Sequence, residues 1–141
     1  IKAEAVPVGP KIAAIRAQLT RPVSILAGLG ALYAPFDLAA GADGFNTGFA
    51  FPEVLQAMIA AQRAGDTPLL DAHYARYAAL IVLEQQPGVA IRKEILKRRG
   101  LFATSTVRHP GAPLSAHAGT TLTALLERTF PGADITQRIV P

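Results

Sequence analysis

Apolar residues along this chain switch between short continuous runs and a period near 3.6, which predicts strands separated by helices. Pro10 stands where a first helical residue belongs, and Ile12, Ile15 and Leu19 follow at helical spacing until Arg21-Pro22 breaks the pattern. Val23-Ser24-Ile25-Leu26-Ala27 is a compact apolar run ending at Gly28, as expected of a strand buried on both faces. Gly28-Leu29-Gly30 then turns the chain into a helix predicted over 31–40, with Gly41 as its left-handed cap. The next strand falls in Asp43-Gly44-Phe45-Asn46-Thr47-Gly48-Phe49, weakened by its glycines.

Beyond this point the pattern is helical. Pro52 opens a helix with Val54, Leu55, Met58 and Ile59 on one face and Gly65 at its end. Thr67-Pro68 reads as the N-cap and first proline of a long helix reaching about Gln86, with Leu70, Tyr74, Tyr77 and Ile81 along its stripe. Pro87-Gly88 separates it from a helix through Ile91, Ile95 and Leu96, capped by Gly100. Residues 101–114 read as loop, and Ser115 starts a last helix through Leu122, Leu125 and Leu126 to about Phe130. Strands alternating with helices pair in parallel through right-handed crossovers. Two strands and a stub at Ile1-Lys2 make a poor sheet, so the alternation is expected to begin in mid-pattern, with further strands upstream.

Composition narrows the class. Half of the 141 residues are hydrophobic and 17% are charged, which supports a compact domain and excludes a disordered segment. The absence of cysteine excludes a disulfide scaffold and a cysteine zinc site. From Val23 to Ala42 the only ionisable side chains are Tyr33 and Asp37, nearly the length a bilayer requires. Gly28, Gly30, Pro35 and Gly41 interrupt that run, and no aromatic belt or basic flank brackets it, so strand, turn and buried helix fit better than a span. His73, His109 and His117 are scattered, and no metal is expected. Arg92-Lys93 and Lys97-Arg98-Arg99 sit near the end of a helix, where the macrodipole favours cations. No aromatic platform accompanies them, and no nucleic-acid partner is expected.

Few residues carry reactive chemistry. An amine attacks a ketone only when unprotonated, so a Schiff-base lysine needs an apolar surround or a nearby cation, and the inward-facing end of a barrel strand offers such a place. Lys2 is either that or a solvated terminal lysine. Glu4 follows at the strand period of two, on the same face, as a proton relay, a contact to a substrate hydroxyl, or a solvated carboxylate. Gly28-Leu29-Gly30 suggests a dinucleotide turn, but bulky Tyr33 occupies the third glycine's place. A tight turn, or backbone lying close to a small ligand, also accounts for both glycines. Asn46 is a polar residue within a strand candidate, a substrate contact or the partner of a neighbouring backbone group.

In order and spacing, these segments resemble the C-terminal half of the dihydrodipicolinate synthase / N-acetylneuraminate lyase family. Ile1-Lys2 resembles the end of strand six with its Schiff-base lysine, and Ile25-Leu26-Ala27-Gly28 resembles strand seven. Gly41-Ala42-Asp43-Gly44 is similar to the entry to strand eight, and Pro52-Glu53-Val54-Leu55 to the start of helix eight. Ala64-Gly65-Asp66 resembles the turn after that helix, and Val107-Arg108-His109-Pro110 a late motif of the helical region. The resemblance runs to about Leu114.

It implies an α/β fold: the C-terminal half of a (β/α)8 barrel over 1–66, from the end of strand six to helix eight, followed by an all-helical region over 67–141. It also implies a cytoplasmic, metal-free and cofactor-free lyase or aldolase, a homo-oligomer (dimer or tetramer). Lys2 would form an imine with pyruvate or a related 2-oxo acid and the enzyme would make or break a bond to an aldehyde, with Gly28, Gly44, Asn46 and Glu4 at the substrate. A full barrel needs about 250 residues, so the other half is expected upstream. Leu29-Gly30 replaces the acidic residue many members carry after strand seven, the segment from Gly44 to Pro52 is short, and Glu4 and Pro7 replace the common residues after the lysine. These departures point to a 2-oxo acid lyase other than dihydrodipicolinate synthase itself. Two other readings are a catalytically silent relative binding a sugar acid or oxo acid, and a small nucleotide-binding α/β domain.

Overall fold

Three short strands lie side by side and parallel, in the order β1 (Lys2–Ala3), β2 (Leu26–Ala27) and β3 (Gly44–Phe45). The computed structural model describes every residue except Pro87, so the proline of the predicted helix break lies outside the described residues. Lys2 is opposite Leu26, and Leu26 is opposite Gly44. Helix α1 (Val8–Gln18) connects β1 to β2, and α2 (Ala34–Ala39) connects β2 to β3. Helices α3 (Pro52–Ala64), α4 (Thr67–Leu83), α5 (Val89–Arg98) and α6 (Ala116–Thr129) follow, and 101–114 holds neither helix nor strand.

The strands are shorter than the apolar runs that predict them. Side chains satisfy the backbone where those runs begin. Arg16 of α1 donates from Nη1 to the Val23 carbonyl and from Nε to the Gly41 carbonyl, each at 2.8 Å. The Asp43 carboxylate accepts the Ile25 N–H at 2.7 Å and pairs with Arg16 Nη2. That amide bond and the arginine hold the Asp43 carboxyl below its ordinary value. The sheet bonding nevertheless extends past the strand ends, through Gly28 N–H to the Ala3 carbonyl and Asn46 N–H to the Ala27 carbonyl, both 2.8 Å.

Three helix starts differ from expectation. α2 begins at Ala34 rather than residue 31, because Leu29, Gly30 and Ala31 take left-handed φ of 49°, 65° and 65° and form a tight turn of their own. For the two residues with a Cβ this costs roughly 1–2 kcal/mol each. α4 is capped by Asp66, whose carboxylate accepts the Leu69 N–H at 3.0 Å, and Thr67 is its first residue. α1 starts two residues before Pro10, and α4 ends at Leu83 rather than Gln86. Gly41, Gly65 and Gly100 close α2, α3 and α5 with φ of 103°, 71° and 72°, as predicted.

The predicted stripes form the core. Ile12, Met58, Leu70, Tyr77, Ile81, Ile91, Ile95 and Leu122 are fully or almost fully buried, in one cluster running from Ala3 to Ile139. It crosses the boundary expected at 66/67 without a break. Phe130 of the last segment packs on Phe51 and Tyr77, with ring centroids 4.6 and 5.7 Å away. The helical region therefore buries the loop that follows β3.

Candidate functional site

All three strands point the same way, so the chain leaves each of them at one edge of the sheet: 4–7 after β1, 28–33 after β2 and 46–51 after β3. Sites on parallel sheets form beyond this carboxyl edge. Lys2 stands there, its Nζ 2.8 Å from Glu4 Oε2, with the two side chains 45% and 47% exposed. Glu4 shares the face of Lys2, as the strand period requires. Its Oε1 accepts the Leu29 N–H at 3.3 Å, which links the lysine of β1 to the turn after β2. The bond from Lys2, and then that from Leu29, hold the Glu4 carboxyl below the ordinary carboxylate value.

Both glycines of the turn sit against side chains of this chain. A Cβ on Gly28 would lie 2.8–2.9 Å from the Glu4 side-chain carbons. A Cβ on Gly30 would overlap the Gln85 carboxamide at the end of α4. A nucleotide site loses its basis here, because the turn runs into left-handed residues and α2 starts only at Ala34, with six residues in all. Gly44 lets α3 approach β3, since a Cβ there would lie 3.3 Å from Ile59 Cδ1 and 3.7 Å from Leu26 Cδ2. Asn46 is exposed, and its side chain makes no hydrogen bond among the described residues.

The loop after β3 is held by the acids Glu84 and Glu53 and by Arg92 and Arg99, which the sequence placed in a basic helix end and which turn to these acids instead. Glu84, fully buried, accepts the Ala50 N–H on Oε1 at 3.2 Å and the Arg92 Nε–H on Oε2 at 3.3 Å. Burial pushes its carboxyl up to about 7 against the opposing pull of the Ala50 amide and Arg92. Arg99, also buried, donates to the Ala50 carbonyl and pairs with Glu53 at 2.5 Å, its guanidinium 4.6 Å from the Phe51 ring centre. Burial opposes the charge of Glu53, but N–H bonds from its own backbone and Ile139, together with Arg99, hold its carboxyl low. One signal was available in the sequence: Glu84 ends the apolar run Leu80-Ile81-Val82-Leu83.

Asp37 is a third buried acid. It is 2% exposed, Oδ1 has no hydrogen-bond partner among the described residues, and burial pushes its carboxyl up to about 6. It borders a cleft of about 310 Å³ between the α1 and α2 segments, lined by Val8, Gly9, Tyr33 and Phe36 among others. Among the described residues no cluster of His, Asp and Glu could hold a metal, and no helix is long and apolar enough to cross a membrane.

Parallel strands joined by helices, with a lysine–carboxylate pair at their carboxyl edge, place this chain in the α/β class, and its solved structural neighbour gives the TIM-barrel family. No family model matches the chain. It is 33% identical over 99 residues to L-2-keto-3-deoxyarabonate dehydratase of Azospirillum brasilense, a match covering 67% of this chain and 31% of that protein. It superposes on the crystal structure of dihydrodipicolinate synthase from Rhodopseudomonas palustris with a TM-score of 0.82 and 37% identity, covering 86% of this chain and 42% of the other. The chain thus spans less than half the length of either relative. It belongs to the dihydrodipicolinate synthase / N-acetylneuraminate lyase family, and its relatives are lyases and dehydratases.

Proposed function

We propose that the protein carrying this segment is a class I lyase in which Lys2 forms a Schiff base with pyruvate or a related 2-oxo acid. The observation that carries this is the position of Lys2. It stands at the carboxyl edge of a parallel sheet, paired with a carboxylate that is itself tied to the next strand's turn. The unprotonated Nζ attacks the ketone carbon and forms a C–N bond. Loss of the former ketone oxygen as water leaves the imine, and loss of a proton from the adjacent carbon gives the enamine. Glu4, 2.8 Å from Nζ, holds the lysine at the strand end, and the ion pair must open before the free amine attacks. The enamine carbon then makes or breaks the bond to an aldehyde, or expels a hydroxyl as water. Dehydration is the variant favoured by the relative named a keto-deoxyarabonate dehydratase.

Gly28 and Gly44 set the backbone at the strand ends, and Asn46, exposed at the end of β3, is the substrate contact from the third wall. The remaining strands come from polypeptide upstream, and the protein works without a metal or cofactor, as a cytoplasmic homo-oligomer. The test uses the full-length protein. Borohydride added with pyruvate should trap a reduced adduct as a mass increase on the peptide carrying Lys2, and Lys2→Arg should abolish it, because arginine stays protonated. An adduct on Lys11, or none while a chelator stops turnover, would sink the reading.

A further inference from the structure

Three contacts reach from α4 and the two residues after it to the loops at the carboxyl edge of the sheet. Tyr74 donates its hydroxyl hydrogen to the Leu32 carbonyl, just after the left-handed turn. Gln85 lays its carboxamide on Gly30 within that turn, oriented by donation from Nε2 to the Ile81 carbonyl at 3.0 Å. Glu84, the adjacent residue, accepts the Ala50 N–H in the loop after β3. Two consecutive side chains just past the end of α4 thus touch the turn after β2, beside the Lys2–Glu4 pair, and the loop after β3, one strand further along the sheet.

The turn needs such support. Leu29 and Ala31 hold left-handed φ despite their side chains, a conformation that persists only where its surroundings enforce it. A residue other than glycine at position 30 would evict the Gln85 carboxamide. Leu29 is also the residue whose N–H holds Glu4. A shift in the turn therefore moves the carboxylate that pairs with Lys2.

On the other side, Glu84 has no exposure to water. The groups facing it are the Ala50 amide from the loop and Arg92 from α5. Arg92 also lies against Gly48, where a Cβ would be 3.1 Å from its Cδ, so it fits the loop as well as the acid. The next charges are the Arg99–Glu53 pair on the far side of the same residue, at the Ala50 carbonyl. A buried carboxylate is retained at such a place at a desolvation cost, and a neutral side chain would fill the space without it.

We propose that Glu84 and Gln85 are positioning residues: through Gly30 and Ala50 they set the turn after β2, next to Lys2, and the loop after β3, one strand further along the sheet. Their bearing on turnover rests on the Schiff-base reading above, whereas their bearing on the loops does not. Burial raises the Glu84 carboxyl to about 7, so the Arg92 pairing weakens as pH falls through neutrality.

The experiment compares wild-type full-length protein with Glu84→Gln and Gln85→Ala. Glu84→Gln keeps the shape and an acceptor for Ala50 but removes the charge that fixes Arg92. Amide hydrogen exchange in 46–51 should rise at least about tenfold in Glu84→Gln, and exchange in 28–32 should rise similarly in Gln85→Ala, with 116–129 unchanged in both. In Glu84→Gln, kcat/KM for the 2-oxo acid should fall by a similar factor, and the step near neutral pH in the wild-type kcat/KM profile should disappear. Exchange in 46–51 and 28–32 at wild-type rates would overturn the proposal. So would a rise spread equally over 116–129, which would mean general loosening. If wild-type protein fails to trap pyruvate on Lys2, the Schiff-base reading falls, and the exchange pattern still decides whether α4 braces the loops.

Discussion

Asp37 gives the prediction that can be worked furthest from the structure. Its side chain is buried between α1 and α2, Oδ1 lacks a partner, and burial raises its carboxyl from 3.8 to about 6. The folded protein therefore keeps this proton at pH values where the unfolded chain has released it. A raised acid contributes stability that is fully present below the unfolded value and is lost as pH rises through the folded one. The two values differ by a little over two pH units, and at about 1.36 kcal/mol per unit the loss between pH 3.8 and 6 is roughly 3 kcal/mol. Asp37→Asn has the same shape and never ionises, so it escapes that loss. Urea unfolding of the full-length variant and wild type should show the difference in stability moving in the variant's favour by roughly 3 kcal/mol between pH 4 and pH 7.5. All other titrations cancel in the difference. Asp37→Leu should show the same pH trend, with its own constant offset from packing. Parallel stability curves across that range would refute the reasoning, because they would mean that the carboxyl ionises equally in both states.

Two further outcomes follow from the sheet edge and the clamp. Gly28→Val should lose most imine trapping at Lys2 while keeping its far-ultraviolet circular dichroism, because the new Cβ collides first with Glu4; unchanged trapping would show the turn to be only structural. Arg99→Met should destabilise the protein by about 3–5 kcal/mol by leaving Glu53 buried and unpaired, and Glu53→Gln added to it should restore part of that, measured as urea midpoints.

What the sequence made legible was local. The runs at Val23 and Asp43, the glycine caps at Gly41, Gly65 and Gly100, and the common face of Lys2 and Glu4 all depend on residues a few positions apart. Period and φ preference suffice to place them. The strand lengths were not legible. The bonds that end the ladder come from Arg16 and Asp43, and nothing in either residue's neighbours says that its side chain serves backbone. The left-handed turn was half legible. Gly30 marked a turn, but Leu29 and Ala31 have no preference for positive φ, so the cause lies with Glu4, Gln85 and Tyr74, all distant in sequence.

The same limit hides the two acids whose carboxyls burial raises, Asp37 and Glu84. Asp37 interrupts an apolar run and Glu84 ends one, and an acid in either place ordinarily turns to water. Whether it does depends on what covers it. For Asp37 that cover comes from the α1 segment, with Gly9 lying against the carboxyl. For Glu84 it is the loop after β3, whose Ala50 amide has no other acceptor among the described residues. A buried amide must be satisfied, and here the side chain that satisfies it comes from another part of the chain. The site's backbone is thus specified by residues that a motif centred on Lys2 does not contain, and substitutions at Glu84 or Gln85 are expected to alter function without touching the lysine.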